Sequence, residues 1–118
     1  MRQPPSIDAV GGGGFRVSGV WRPGSLLILA DQVLPWPPLS LEAITVADLE
    51  AVLAAGPRAS EFVLLGTGAT QSLPSRDIRE AVRAAGLGLE FMATADAAHL
   101  HNVLTSEGRR LAAALIAV

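Results

Sequence analysis

The residues of this chain that could carry chemistry are a glycine-rich loop, a polar cluster and a single threonine. The candidate site residues are Gly66, Thr67, Gly68, Thr94, Asn102, Glu107 and Arg109. The loop 66–68 directly follows the apolar run 62–65, which has the composition of a strand covered on both faces. Because open α/β sheets bind ligands at the carboxyl ends of their strands, this loop is a candidate ligand-binding segment.

The loop matches a dinucleotide-binding fingerprint only in part. The third glycine is absent, and the next helix begins near Ser75, after Pro74, so a bound pyrophosphate would lack a nearby helix N-terminus. The sequence therefore favours a loop that needs glycine for its backbone angles over a nucleotide-binding loop. No cofactor is expected.

The polar cluster lies at the end of a predicted helix built mainly of alanine and leucine. One interpretation is a carboxylate and an amide, Glu107 and Asn102, that face a pocket. The other is a buried network that ties the helix to the last strand, with Glu107 paired to Arg109 or Arg110. The residue types favour the buried network. At the other end of this helix, Thr94 is predicted to be the N-cap.

Composition excludes several kinds of catalytic chemistry. The chain has no cysteine and no tyrosine, and all nine basic residues are arginine, which excludes thiolate nucleophiles, zinc–cysteine sites and Schiff-base lysines. His99 and His101 lie two apart on a predicted helix and point about 200° apart, so no metal site is expected. A formal net charge of −2 with scattered arginines argues against nucleic-acid binding.

Length and hydropathy predict a single domain over residues 1–118, with 1–6 forming a loose N-terminal end beside Pro4 and Pro5. No apolar run approaches the roughly 18 residues that span a bilayer. The N-terminus also lacks the apolar core of a signal peptide. We therefore expect a soluble cytoplasmic protein that does not span a membrane.

The N-terminal half has the pattern of β-hairpins. The four glycines 11–14 are interpreted as a flexible connection into a strand over 15–21, where apolar and polar residues alternate. A second strand is predicted at 26–30, and 33–36 extends it as far as a group of prolines. Trp36 is either a lid on the core or an exposed recognition residue, and its large apolar surface favours the lid.

The C-terminal half alternates helices and strands. Thr45 and Asp48 form a predicted capping box for a helix that stops at Gly56-Pro57. Later helices are predicted from Ser75 to Gly86 and from Thr94 to Gly108. Strands are predicted at 62–65, 87–92 and 111–116, side by side in one largely parallel sheet, because crossover helices connect parallel strands. The direction of the last strand stays open.

Taken together, the motifs resemble a small family of uncharacterised domains that includes assembly factor 3 of mitochondrial NADH:ubiquinone oxidoreductase (complex I). The resemblance covers residues 7–118. It rests on Leu65-Gly66-Thr67-Gly68, Pro74, 86–92, Thr94, Ala98, Asn102-Val103-Leu104, Glu107-Gly108-Arg109 and 113–116. It implies a compact three-layer α/β domain around a central mixed sheet. The chain departs from the family pattern at Ala93, where many relatives have aspartate, and at His101, where many have an aromatic residue.

Two functions from different classes follow. The resemblance and the missing catalytic groups favour a non-enzymatic protein-binding or assembly module with an unidentified protein partner. In that case the proline-flanked segment 34–39, Trp21 and Trp36 are the expected contact surface. The alternative is a small-molecule-binding or hydrolytic domain that uses the loop 66–68 with Asn102 and Glu107. The oligomeric state is left open.

Overall fold

The computed structural model describes residues 2–118, and Met1 lies outside the described residues. Within that range the chain forms two sheets and three helices. The strands are β1 (Ile7–Gly11), β2 (Gly14–Val17), β3 (Val20–Pro23), β4 (Ser25–Leu29), β5 (Gln32–Trp36), β6 (Phe62–Gly66), β7 (Gly88–Met92) and β8 (Ala112–Leu115). The helices are α1 (Glu50–Ala59), α2 (Arg76–Ala84) and α3 (Thr94–Ser106).

The main sheet has five strands in the order β5-β4-β8-β6-β7, and the smaller sheet has the order β1-β2-β3. The three strands predicted to be neighbours, β6, β7 and β8, lie side by side as expected. Strand β8 runs parallel to β6 and antiparallel to β4. This finding answers the open question of the last strand's direction, and it makes the sheet mixed.

Side chains of the central strands alternate between two apolar layers. Val63 and Leu65 of β6 pack with residues of α1 and α2. Leu64, between them, packs on the opposite face with α3 and the small sheet. Strand β8 alternates in the same way, and its four residues are fully buried. The predicted α/β architecture of three layers with an additional N-terminal β layer is therefore confirmed.

The N-terminal strands differ from the prediction at two tight turns. The strand predicted over 15–21 is divided into β2 and β3 by Ser18 and Gly19, which have φ angles of 47° and 82°. Likewise Ala30 and Asp31, at φ 50° and 64°, separate β5 from β4 instead of letting it extend β4. Two-residue turns with positive φ match the twist of a hairpin, and both pairs of strands are antiparallel.

The segment expected to be a loose N-terminal end makes defined contacts from residue 2 onward. The Arg2 Nε donates to Asp31 Oδ2 at 2.8 Å, and its Nη1 donates to the Gly108 carbonyl at 3.1 Å. Pro5 is buried. Residues 2–6 are therefore fastened to the β4–β5 turn and to the end of α3, and the expectation is wrong for this part of the segment.

Helix α1 begins and breaks where the sequence indicated. The Thr45–Asp48 capping box is present and starts a 3₁₀ turn, Val46–Leu49, that leads into α1. Gly56, at φ 62°, interrupts the helix, and one further turn reaches Ala59. Trp36 is only 4% exposed and its Nε1 donates to the Asp48 carbonyl at 2.8 Å, so it is a lid on the core as predicted.

Candidate functional site

The loop 66–68 joins the carboxyl end of β6 to the start of α3 and the end of β8. The Gly68 amide donates to Thr94 Oγ1 at 2.9 Å, and that hydroxyl donates to the Ile116 carbonyl at 2.8 Å. The Ile116 amide in turn donates to the Gly66 carbonyl at 3.0 Å. Four of these bonding atoms belong to the backbone, so the buried Thr94 hydroxyl holds three chain segments together.

Thr94 is not the helix cap that the sequence predicted. It is the first residue of α3, its neighbour Ala93 is the N-cap, and no side chain caps this helix. The reason lies in its hydroxyl, which is already bonded to Gly68 and Ile116. An N-cap side chain must accept from an amide in the first helical turn, and this hydroxyl points to the strands instead.

The glycines of the loop meet a steric requirement. A Cβ on Gly66 would lie 2.9 Å from Thr94 Oγ1 and 3.0 Å from Thr94 Cα. Gly68 has φ 112°, a conformation that favours glycine. Thr67 Oγ1 lies 2.6 Å from the Thr70 carbonyl and accepts from the Ser72 amide at 3.2 Å. Most polar atoms of the loop are thus engaged in hydrogen bonds within the chain.

Asn102 and the buried His101 beside it form a second, separate contact at the middle of α3. The Asn102 amide exchanges two hydrogen bonds with the Ile7 backbone of β1. His101 Nδ1 lies 3.3 Å from Asn102 Oδ1. Burial lowers the pKa of His101, while the contact with Asn102 and the charge of Asp31 oppose that shift. His99 is exposed.

Glu107 and Arg109 lie apart from both contacts. Glu107 is exposed at the end of α3, and Gly108, at φ 84°, turns the chain toward β8. Arg109 therefore reaches Glu61 at the start of β6, with Nε and Oε2 3.3 Å apart. The same carboxylate accepts from the Arg110 amide at 3.1 Å. The predicted pairing of Glu107 with a following arginine is wrong, because Arg109 pairs with Glu61 and the Arg110 side chain donates to the Arg58 carbonyl at 2.8 Å.

The Glu61 carboxylate is the acidic partner that the sequence analysis missed. Its pKa is lowered, chiefly by the hydrogen bond from the Arg110 backbone amide and then by Arg109. Glu61 stands 48 residues before Arg109 in the chain, so no local spacing could indicate the pair. The seven candidate residues consequently do not form one site. Thr94 and Glu107 lie at opposite ends of α3, about 20 Å apart along its axis.

An open groove of about 530 Å³ lies between β5 and α1, and it is here called the α1–β5 groove. Its apolar lining includes Leu27, Leu34, Trp36, Ala47, Ala51 and Ala54. Asp48 and Glu50 are its charged residues, and none of its lining residues is basic. The sequence pointed to this region through segment 34–39, but it did not show which side chains stay exposed.

Adjoining depressions extend the apolar surface of the groove. Val46 and Leu53 continue it along α1, and Leu39 continues it beyond the prolines. Leu39 is 69% exposed, and Val46 and Leu34 are 39% and 37% exposed. Trp36, in contrast, presents little surface, so the expectation that it anchors a partner is corrected to a supporting role under the groove.

Two absences among the described residues bear on the kind of site. Within residues 2–118, no three histidine or acidic side chains come together in a way that could hold a metal ion. In the same range, no helix has the length and apolarity needed to cross a bilayer. The features described above are a loop bonded within the chain, the Asn102 contact with β1, the Arg109–Glu61 ion pair, and an apolar groove with acidic residues.

These features define a small two-sheet α/β domain, and comparisons with known proteins place it in a family. The chain belongs to the family described as "Protein of unknown function (DUF498/DUF598)", which matches residues 7–116. An uncharacterized protein of Rhodobacter capsulatus is 38% identical over 110 residues, covering 93% of this chain and 82% of that protein. A crystal structure described as an outer membrane protein from Bartonella henselae has a TM-score of 0.89 at 30% identity and covers 98% and 96% of the two chains.

The family also reaches animal proteins. Human NADH dehydrogenase [ubiquinone] 1 alpha subcomplex assembly factor 3 is 31% identical over 110 residues. The match covers 93% of this chain and 59% of the human protein. The chain therefore spans somewhat more than half the length of that relative, and the resemblance inferred from the sequence motifs is confirmed.

Proposed function

We propose that this chain is a non-enzymatic protein-binding domain, similar in role to an assembly factor, and that its contact surface is the α1–β5 groove. The observation that carries the proposal is the exposed apolar lining of this groove beside two carboxylates. The partner it fits is a protein segment with apolar side chains flanked by arginine or lysine. The relative named as an assembly factor supports a role in protein association.

The apolar surface of the groove is the first support. Leu39, Val46 and Leu34 are exposed on neighbouring elements, whereas apolar surface is usually removed from water when a small domain folds. Strand β5 lies at the edge of the main sheet, and Pro35 within it removes an amide that another strand would use. The surface therefore favours side-chain contacts over the addition of a further strand.

The groove is also held in shape before a partner arrives. The bond from Trp36 Nε1 to the Asp48 carbonyl connects β5 directly to the turn that precedes α1. The capping box between Thr45 and Asp48 fixes the same turn from the other side. A preformed surface loses less conformational freedom on binding, which favours affinity.

The negative charge of the groove favours a basic partner. Asp48 and Glu50 both line the groove, and no arginine lies among its lining residues to neutralise them. Complementary charge at the rim of an interface increases the association rate and rejects partners of like charge. A basic segment with apolar side chains can contact the apolar lining of the groove and also pair with Asp48 and Glu50.

The alternative, a small-molecule-binding or hydrolytic domain built on the loop 66–68 with Asn102 and Glu107, has less support. The loop is engaged in bonds within the chain, Asn102 is bonded to β1, and Glu107 faces solvent at the far end of α3. The cytoplasmic location expected from the sequence stays a prediction.

The experiment compares two matched variants, Val46→Arg and Val103→Arg. Both valines are exposed to nearly the same extent, 39% and 38%, but Val103 lies on α3, on the other side of the main sheet. Tagged wild type and both variants are used for affinity capture from the native cell, and each recovered partner is then purified and its binding measured at increasing salt concentration. We expect Val46→Arg to lose the partner and Val103→Arg to retain it.

The proposal also predicts the character of that binding. Affinity should fall as salt rises, because exposed charge pairs are screened within about 10 Å at 0.1 M salt. Equal capture by both variants would overturn the assignment to this groove. Recovery of the same partner set by wild type and by an unrelated tagged control would overturn protein binding as the function.

A further inference from the structure

A second concave feature, which does not depend on the proposed function, lies between the small sheet and the edge of the main sheet, and its lining shares Pro35 with that of the α1–β5 groove. This β3–β4 cavity has a volume of about 350 Å³. Val20 and Arg22 of β3, Ser25 and Leu26 of β4, and Pro35 of β5 are among its lining residues, and none of those lining residues is acidic. Its size falls at the lower end of the range of about 300–1,000 Å³ for small-molecule sites.

Arg22 is directed into the cavity by the register of the β2–β3 hairpin. It pairs with Phe15, which is completely buried between the two sheets. Trp21 pairs with Arg16 on the opposite, outward face. Because side chains alternate along a strand, Arg22 is on the inner face and Arg16 on the outer. The Ser18-Gly19 turn sets this register.

Two hydrogen-bond donors in the cavity have no acceptor. Arg22 Nε is buried and has no hydrogen-bond partner among residues 2–118. Ser25 is 2% exposed, and its Oγ accepts from the Ala117 amide at 2.9 Å, while no bond donated by its hydroxyl is found in the same residues. A buried donor without an acceptor costs stability, and a ligand or water in the cavity that accepts from it would remove this cost.

We infer that the β3–β4 cavity binds a small monocarboxylic acid with a compact apolar body. The carboxylate accepts from Arg22 Nε and from the Ser25 hydroxyl, and the apolar part contacts Val20, Leu26 and Pro35. A guanidinium group matches the geometry of a carboxylate, and this pairing is among the stronger hydrogen-bonded contacts in proteins. Because none of the lining residues has a carboxylate, Arg22 can pair with the carboxylate of a ligand.

The test is a titration of the ¹⁵N-labelled protein with matched pairs of compounds, followed by NMR. Hexanoate and benzoate are compared with 1-hexanol and benzyl alcohol, and acetate supplies a carboxylate without the apolar body. We expect saturable shifts from both acids that are confined to residues 20–26 and 33–36. The two alcohols should bind at least about tenfold more weakly, since a hydrogen bond to a charged group contributes about 1.5–3 kcal/mol and each 1.4 kcal/mol is tenfold. Acetate should also bind more weakly, because it lacks the apolar surface that contacts Val20, Leu26 and Pro35.

Three variants assign the contact to Arg22. Arg22→Gln should lose about tenfold or more in affinity for the acids, by the same conversion, whereas Arg16→Gln, on the outer face of the same hairpin, should bind as wild type does. Val20 is exposed and lies two residues before Arg22, on the same face of β3. The carboxylate introduced by Val20→Glu can therefore pair with Arg22, which should raise the melting temperature and abolish acid binding. This variant keeps the test decisive if Arg22→Gln fails to fold.

Several results would overturn the inference. These are shifts that do not saturate or that scatter over the surface, equal binding of acids and alcohols, and full affinity in Val20→Glu. All of these titrations use the purified protein, and the groove variant Val46→Arg should bind the acids as wild type does. A negative result for acid binding therefore does not count against the proposed protein-binding function. In the same way, a failure of the protein-binding proposal does not count against acid binding.

Discussion

Asn102 and Ile7 are bonded to each other as two residues of neighbouring β-strands would be. The Ile7 amide donates to Asn102 Oδ1 at 2.9 Å, and Asn102 Nδ2 donates to the Ile7 carbonyl at 2.8 Å. The side-chain amide of Asn102 on α3 thus satisfies backbone groups of the edge strand β1 that a neighbouring strand would otherwise bond. This contact joins the small sheet to the helix that packs on the main sheet.

Replacing Asn102 by alanine is expected to destabilise the protein, because both polar groups of Ile7 lose their partner. Leaving buried groups unsatisfied costs about 1–3 kcal/mol in the free energy of unfolding. Urea denaturation followed by circular dichroism measures this change. Glu107→Ala is the control on the same helix, and as an exposed substitution it should change stability by no more than about 0.5 kcal/mol. A large effect of Glu107→Ala with none for Asn102→Ala would contradict the separation of the polar cluster.

The Thr94 hydroxyl gives a second prediction. Thr94→Val keeps the shape of the side chain but removes the acceptor for Gly68 and the donor to Ile116, so a loss of about 1–3 kcal/mol is expected. Thr94→Ser keeps both bonds and removes one buried methyl, which corresponds to about 0.8 kcal/mol. In thermal denaturation, Thr94→Ser should therefore have a higher melting temperature than Thr94→Val. The opposite order would mean that packing, and not hydrogen bonding, dominates at this position.

A pH dependence follows from His101. Burial lowers its pKa in the folded protein, so the unfolded chain binds the proton more readily as the pH falls. The stability that neutral His101 contributes is complete above the unfolded value of about 6.5 and is lost as the pH falls from there toward the lower folded pKa. Melting temperatures between pH 8 and pH 5 should fall less in His101→Gln than in wild type. His99→Gln is the matched control, and it should retain the wild-type slope.

Trp36 sets a limit on how the groove can be probed. Removing a buried tryptophan side chain costs about 3–5 kcal/mol, so Trp36→Ala should be strongly destabilised. Trp36→Phe keeps most of the apolar volume, and it loses the bond to the Asp48 carbonyl together with one of the two fused rings. We expect its loss in guanidinium denaturation to be at most about half that of Trp36→Ala, since one hydrogen bond contributes about 1 kcal/mol. Similar losses in both variants would show that this bond dominates.

Local signals were sufficient for much of the fold. The apolar runs of β6 and β7, the capping box at Thr45, the start of α2 next to Ser75, and the stop at Gly56 all lie where the sequence placed them. Each of these signals involves residues within about four positions of one another, where helix geometry and capping act. The size of Trp36 predicted its burial, but Trp21 has the same size and is 47% exposed, so size alone does not decide burial.

Other features depended on information that no short stretch contains. The alternation in 15–21 continues through the Ser18-Gly19 turn, so the pattern could not show that the chain reverses there. Ala30-Asp31 has no glycine or proline to mark its turn, although it adopts positive φ angles. The partner of Arg109 was misassigned because Glu61 is distant in sequence, and the inward position of Arg22 depends on a register that only the folded hairpin defines.

The position of β8 in the main sheet has a consequence for how the protein is made. Strands β4 and β5 leave the ribosome first, then β6 and β7, and β8, which joins the two pairs, follows all of them. Chains emerge at about 5–20 residues per second, so for some seconds β4 and β6 lack the strand that lies between them in the folded sheet. Unpaired edges are prone to association with other chains. The nascent protein should therefore depend on chaperones until its most central strand is released, and ribosome-bound chains stalled before residue 112 should remain open to proteases.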